Sequence, residues 1–167
     1  MKTIKICLLT IGLLFMVTSC SKDDSITIDE ADYSINLNLA YETNWELADE
    51  ILVIVNEHRA TLDLPSIERD QQYASAYAVQ HTNYMIDINR INHDNFGNRS
   101  EALKQRGAIS VGENVAVGYN TAEAVVSAWL NSPSHKQTIE GSYTHSGFGI
   151  IQNENGTIFF TQLFYSK

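Results

Sequence analysis

One stretch, Gly112 to His135 (GENVAVGYNTAEAVVSAWLNSPSH), constrains the fold more than any other part of the chain. Val111 to Val117 reads as a strand, with Asn114-Val115-Ala116-Val117 alternating. Asn120 or Thr121 then caps a helix over Ala122 to Asn131, whose inner face is Val125, Val126 and Trp129. Ser132-Pro133 restarts a short helical turn, because proline suits the first helical position. A strand followed directly by two short helices needs a sheet for the strand and a helical layer to cover it. Glu113 and His135, at the two ends of this stretch, and His93 upstream in Asn92-His93-Asp94-Asn95-Phe96 can each bind a metal or move a proton.

The rest of the chain supplies such a frame. Thr43-Asn44-Trp45-Glu46 has the capping-box pattern, with Thr43 at the N-cap and Glu46 three residues on. Leu47, Ile51, Ile54, Val55 and His58 follow at helical spacing, and Asp63 to Pro65 ends the helix. A second helix is expected from about Asp70 to Ile86, striped by Tyr73, Ala74, Tyr77, Ala78, His81, Tyr84 and Met85. His58 reads as a partly buried surface histidine and His81 as a hydrogen-bonded structural one. Asn98 can cap a short helix through Glu101, Leu103 and Arg106, stopped by Gly107. The last third is β: His145 to Gln152 and Thr157 to Tyr165 flank Asn153-Glu154-Asn155-Gly156, whose Asn-Gly marks a hairpin. These elements make an α+β domain with a sheet between helical layers.

The first residues, MKTIKICLLTIGLLFMVTSC, have a basic start and an apolar run of about a dozen residues, too short to span a bilayer. Val17-Thr18-Ser19-Cys20 resembles a bacterial lipobox, so residues 1–19 are expected to be a lipoprotein signal and Cys20 an acylated N-terminus. Residues 20–45 then form a polar tether, with weak alternation at Ile26, Ile28, Ile35, Leu37 and Leu39 allowing one short strand, and residues 46–167 form the domain. Ser21-Lys22-Asp23-Asp24 resembles a surface-export signal of some Gram-negative lipoproteins; the alternative is the solvated head of a tether. Both place the protein at the outer membrane, and the first displays it on the cell surface. The only cysteines are Cys7 and Cys20, so the domain has no disulfide and is held by its core, expected as a monomer. Loss of residues 1–19 would remove two lysines and no acid, taking the net charge from −9 to −11. A chain so acidic, without a basic cluster, is not a nucleic-acid binder, and its membrane contact rests on the lipid at Cys20.

His93-Asp94-Asn95-Phe96, Gly112-Glu113-Asn114-Val115-Ala116, Trp129 to His135, Gly147-Phe148-Gly149 and Phe160-Thr161-Gln162-Leu163-Phe164 occur in this order over about residues 47–167. In them the chain resembles the CAP superfamily of cysteine-rich secretory, antigen 5 and pathogenesis-related proteins, in its disulfide-free bacterial branch. The resemblance implies a three-layer α-β-α sandwich with a mainly antiparallel sheet. It also implies a cleft lined by two histidines and two glutamates, which in some members holds zinc or another divalent cation. His93, Glu113 and His135 match three of those four positions. The second glutamate falls at Ser132, where this chain departs from the pattern.

Several chemistries follow for the site. Two imidazoles and a carboxylate can complete a His-His-Glu metal set with an open water position. Glu113 can instead orient a histidine or act as a general base. Ser132 or Ser134 beside His135 raises a serine-hydrolase reading. Asn114 and Gln162 can offer amide hydrogen bonds to a ligand or support the backbone, and Trp129 reads as core. The leading expectation is an envelope-displayed binding module recognising a peptide, glycan or lipid. A metal-assisted or serine hydrolase and a lipid or sterol carrier are the alternatives.

Overall fold

Helix α1 (Trp45–Ala60) starts from a different cap than its sequence implies. Asn44 is the N-cap, its side-chain oxygen accepting from the Leu47 amide at 3.2 Å. The Thr43 hydroxyl is spent elsewhere, donating to the Phe148 carbonyl at 2.6 Å, while the Asn44 amide donates to Ile150 at 3.0 Å. Two adjacent residues could each cap, and the one within reach of the sheet is used to join helix and sheet. The buried stripe of α1 is Leu47, Ala48, Ile51, Val55 and Arg59; His58 lies beside it and bonds Glu140 at 2.9 Å.

The computed structural model describes residues 33–167, so the signal segment 1–19, Cys20 and Ser21-Lys22-Asp23-Asp24 lie outside the described residues. The packed unit begins before residue 46. Leu37–Glu42 is a 3-10 helix and no strand occurs between residues 33 and 44. Ala40 is buried, its carbonyl accepts from the Trp45 indole at 3.0 Å, and the Tyr33 carbonyl accepts from the Tyr77 hydroxyl. The end of the expected tether is thus part of the domain surface, because its few apolar side chains have a helix to cover.

Among the described residues four strands form one sheet: β1 (Glu68–Arg69), β2 (Ser110–Val117), β3 (His145–Gln152) and β4 (Ile158–Ser166), in the order β1-β3-β4-β2. The β3–β4 and β2–β4 pairs are antiparallel, and only β1, two residues long, pairs in parallel with β3. The hairpin turn is held by the Asn153 side chain, which accepts from the amides of Asn155 and Thr157, with Gly156 at φ +80°.

Helical layers cover both faces. On one, α1 and α4 (Ala122–Leu130), with α5 (Pro133–Ile139), enclose a core of Ile51, Val55, Val126, Trp129, Phe148 and Phe160. On the other, α2 (Tyr73–Asp87) and α3 (Phe96–Lys104) pack Ala74, Tyr77, Ala78 and Leu103 against Leu163 and Tyr165. Neighbouring strand residues such as Leu163 and Phe164 serve opposite layers, as the two-residue strand period requires. Helix α2 begins three residues later than expected because Asp70 is spent on the turn before it, its carboxylate accepting from the Gln72 amide at 2.7 Å.

Two features fix the layers closely. A Cβ on Gly147 or Gly149 would lie closer than 3.0 Å to the α2 backbone at Ala74–Ser75 or Ala78–Val79, so the Gly-Phe-Gly motif lets the helix lie directly on β3. Arg59, 1 % exposed, sends its guanidinium across the core to the carbonyls of Pro65 (2.9 Å), Ile139 (2.7 Å) and Gly141 (2.8 Å). It therefore ties α1 to the C-terminal end of α5.

Candidate functional site

Glu113 projects from β2 toward the α2–α3 layer, and its side chain is only 1 % exposed. An isolated carboxylate there would be costly, and the site supplies a cation. Arg99, on α3, donates through Nε to Oε2 at 2.8 Å and through Nη2 to Oε1 at 2.9 Å, a bidentate pair. Its Nη1 donates to the Asp94 carbonyl at 2.7 Å, fixing the loop that carries His93. His93 then donates from Nδ1 to Glu113 Oε1 at 2.8 Å, its own side chain half exposed. The loop turns through Asn95 in the left-handed region (φ +58°), and the Asn92 side chain accepts from the Asp94 amide.

His81 stands behind this group. Its Nε2 lies 4.0 Å from Glu113 Oε1 but donates to the Asn92 carbonyl at 2.8 Å. Burial lowers its pKa, as does the Arg99 charge, so it sits as a neutral structural imidazole. His81 thus supports the His93 loop from α2.

His135 comes from the other layer. It lies on α5 and lines a cavity of about 270 Å³ with Ile91, Val115, Tyr119, Trp129 and Ser132. The Trp129 indole donates to the Val115 carbonyl at 3.1 Å, so this core residue also shapes the wall. Burial and then the charge of His93 lower the His135 pKa. The cavity beside His135 lies along β2, an edge strand of the sheet, while His93 meets Glu113 of the same strand from the α2–α3 layer.

The other candidates lie beside His135 or in the core. Asn114 and Gln162 are directly opposed on β2 and β4 and fully buried. Asn114 donates to the His135 carbonyl at 3.1 Å and Gln162 to the Ser146 hydroxyl at 3.1 Å, so both support backbone and core. Their amide oxygens, Asn114 Oδ1 and Gln162 Oε1, have no partner among the described residues. The Ser132 hydroxyl lies 3.4 Å from that of Ser134, and no hydrogen bond joins either serine to the His135 ring among the described residues.

Arg99 is the member of the site that sequence reasoning missed. A signal existed: with Ala102 and Leu103 it forms the buried face of α3 at helical spacing, and an arginine on such a face needs a buried partner. That partner also decides what Glu113 can do. With Arg99 and His93 occupying both oxygens, the carboxylate is an orienter of His93 and not a free base. Among the described residues no three His, Cys, Asp or Glu side chains converge as a cation set. The Glu113 bond commits His93 Nδ1 as donor and leaves Nε2, when neutral, with its lone pair.

A family model described as the cysteine-rich secretory protein family, CAP, matches residues 52–164. Among curated proteins, the uncharacterized protein YkwD of Bacillus subtilis (strain 168) is 30% identical over 123 residues, covering 71% of this chain and 46% of that protein. The uncharacterized membrane protein YlbC of the same organism is 31% identical over 124 residues, covering 71% and 34%. The chain spans less than half the length of these curated relatives. An outer surface protein from Borrelia burgdorferi superposes with a TM-score of 0.65 at 25% identity, over 73% of this chain and 93% of that one. An extracellular protein containing an SCP domain from Bacillus anthracis superposes with a TM-score of 0.61 at 27% identity, over 75% and 41%.

Proposed function

Because the chain belongs to the CAP family of cysteine-rich secretory proteins, its match running over residues 52–164, we propose that it is a monomeric, extracytoplasmic binding module anchored at an outer membrane through acylated Cys20. Relatives named as outer surface and extracellular proteins support that location. The carrying observation is the Arg99–Glu113–His93 chain of charge and hydrogen bonds. It spends the carboxylate on holding one imidazole, which leaves that half-exposed ring, and not Glu113, as the group offered to a ligand. Of peptide, glycan and lipid, the apolar lining by Ile91, Val115, Tyr119 and Trp129 favours a peptide or lipid in this cleft.

His93 and His135 would hold zinc or another divalent cation, with Glu113 behind His93. Bound there, the ion supplies a Lewis-acid anchor for an anionic or carbonyl group of a ligand. Two protein ligands are fewer than the three or four of strong zinc sites, so binding should be modest.

Calorimetric titration of zinc chloride into wild type, His93→Ala and His135→Ala tests the site. Each substitution should weaken binding at least tenfold, and equal affinity in all three would leave the histidines only to hydrogen-bond a ligand. A hydrolase, the second reading, would use Glu113 or Ser132. Turnover of a fluorogenic peptide or ester by wild type that is lost in Glu113→Gln or Ser132→Ala would replace the binding reading.

A further inference from the structure

A second cavity, of about 520 Å³, opens where α2 begins and β4 ends. It is lined in part by Arg69, Arg106, Lys167, Tyr73 and Tyr165 and shares no lining residue with the cavity beside His135. Its charge runs against that of the chain. The net charge is −9, yet three cationic side chains line this space beside a single acidic one, Asp70. Asp70 is already engaged by the Gln72 amide and by the Tyr165 hydroxyl at 2.8 Å. Arg69 is offset by Asp49, at 2.5 and 2.6 Å.

Asp70 keeps its negative charge, so among the described residues Arg106 and Lys167 between them carry an excess of one positive charge. Among the described residues the Arg106 guanidinium donates to neutral carbonyls, Ala102 at 2.8 Å and Tyr33 at 3.0 Å, and stacks 4.3 Å from the centre of the Tyr73 ring. That stacking holds its charge at the cavity wall. Lys167 lies with Nζ 5.7 Å from the Tyr165 ring centre and is exposed. Gln71 and Gln72, both exposed, add amide donors and acceptors at the rim.

We propose that this cavity binds an acidic saccharide, its carboxylate on Arg106 and Lys167 and its hydroxyls on the glutamine amides. The volume lies in the range of small-molecule sites. Among the described residues Leu103 is the only aliphatic side chain of the lining, which disfavours a lipid tail. Asp49 and Glu68, whose side chains are more than half exposed, place negative charge beside Arg69 and His145, which favours a short anion over a long polyanion. This site is independent of the His93–His135 cleft.

The test is a titration of the purified, ¹⁵N-labelled full-length chain with digalacturonic acid, with a neutral disaccharide and with sulfate. Saturable shifts are expected at the amides of Gln71, Gln72, Tyr73 and Arg106 with the acidic sugar and not with the neutral one. Lys167→Gln, at an exposed position, should weaken binding roughly two- to fivefold, and His93→Ala should leave it unchanged. Absence of saturable shifts there, unchanged affinity in Lys167→Gln, or equal affinity for sulfate alone would overturn the proposal.

Discussion

Arg99 grips Glu113 through both carboxylate oxygens, at 2.8 and 2.9 Å, with the two side chains 7 % and 1 % exposed. The pair holds His93 in place, yet a buried ion pair contributes little net stability over an apolar pair.

Removing one partner alone should be costly. Arg99→Ala is expected to lose about 3–5 kcal/mol in urea denaturation, because Glu113 is left as an unpaired buried charge. Arg99→Met combined with Glu113→Leu should recover most of that loss while weakening zinc binding. A double variant as unstable as Arg99→Ala would show that the pair is needed for folding itself.

The Gly-Phe-Gly motif makes a second prediction. Gly149→Ala should destabilise by about 1–3 kcal/mol, since the new methyl must push α2 off β3. Gly97, in α3, would place a Cβ with nothing within 4 Å, so Gly97→Ala should be neutral or stabilising by roughly 0.4–1 kcal/mol. Thermal melts of the two variants read the contrast directly, and similar shifts in both would contradict close packing at β3.

Acid should weaken the fold partly through His81. Burial, reinforced by the Arg99 charge, lowers its pKa in the folded state against the opposing pull of the Asn92 carbonyl and Glu113. The unfolded ring takes up its proton near pH 6.5, about its ordinary value, while the folded one does so only at lower pH. Stability from this group is therefore undiminished above that value and falls as pH drops through the unfolded pKa toward the folded one. His81→Gln keeps a donor for the Asn92 carbonyl and cannot titrate, so its stability should vary less between pH 7 and pH 5 than that of wild type. Identical pH slopes would rule His81 out as the source.

The anchor is tested at Cys20. Cys20→Ser should abolish metabolic acyl labelling and release the protein from membranes. Labelling that persists would end the lipobox reading.

Much of the frame was legible in the sequence, because helical stripes, the Asn-Gly turn and the proline restart are local signals. The hairpin, α4 and α5 lie within a residue or two of where those signals place them. Local signals failed where a side chain's role is set by a distant partner. Thr43 looks like a helix cap until a carbonyl 105 residues away takes its hydroxyl. Arg59 follows Leu47, Ile51 and Val55 at four-residue spacing, yet charge argues against putting it inside unless the carbonyls of Ile139 and Gly141 are known. The site divides the same way. His93, Glu113 and His135 were named from the motifs they sit in, but Arg99, which decides the role of Glu113, was not.

The order of the sheet has a consequence for how the chain comes together in time. Among the described residues the two strands met first along the sequence, β1 and β2, are its edges, and each pairs only with β3 or β4, the last two. During synthesis or export, neither early strand has a partner until the β3–β4 hairpin emerges. Closure thus waits for the C-terminal residues, and until then the first hundred-odd residues present helices without a surface to cover. A chain of this kind is expected to complete its sheet only after the C-terminal hairpin has been made.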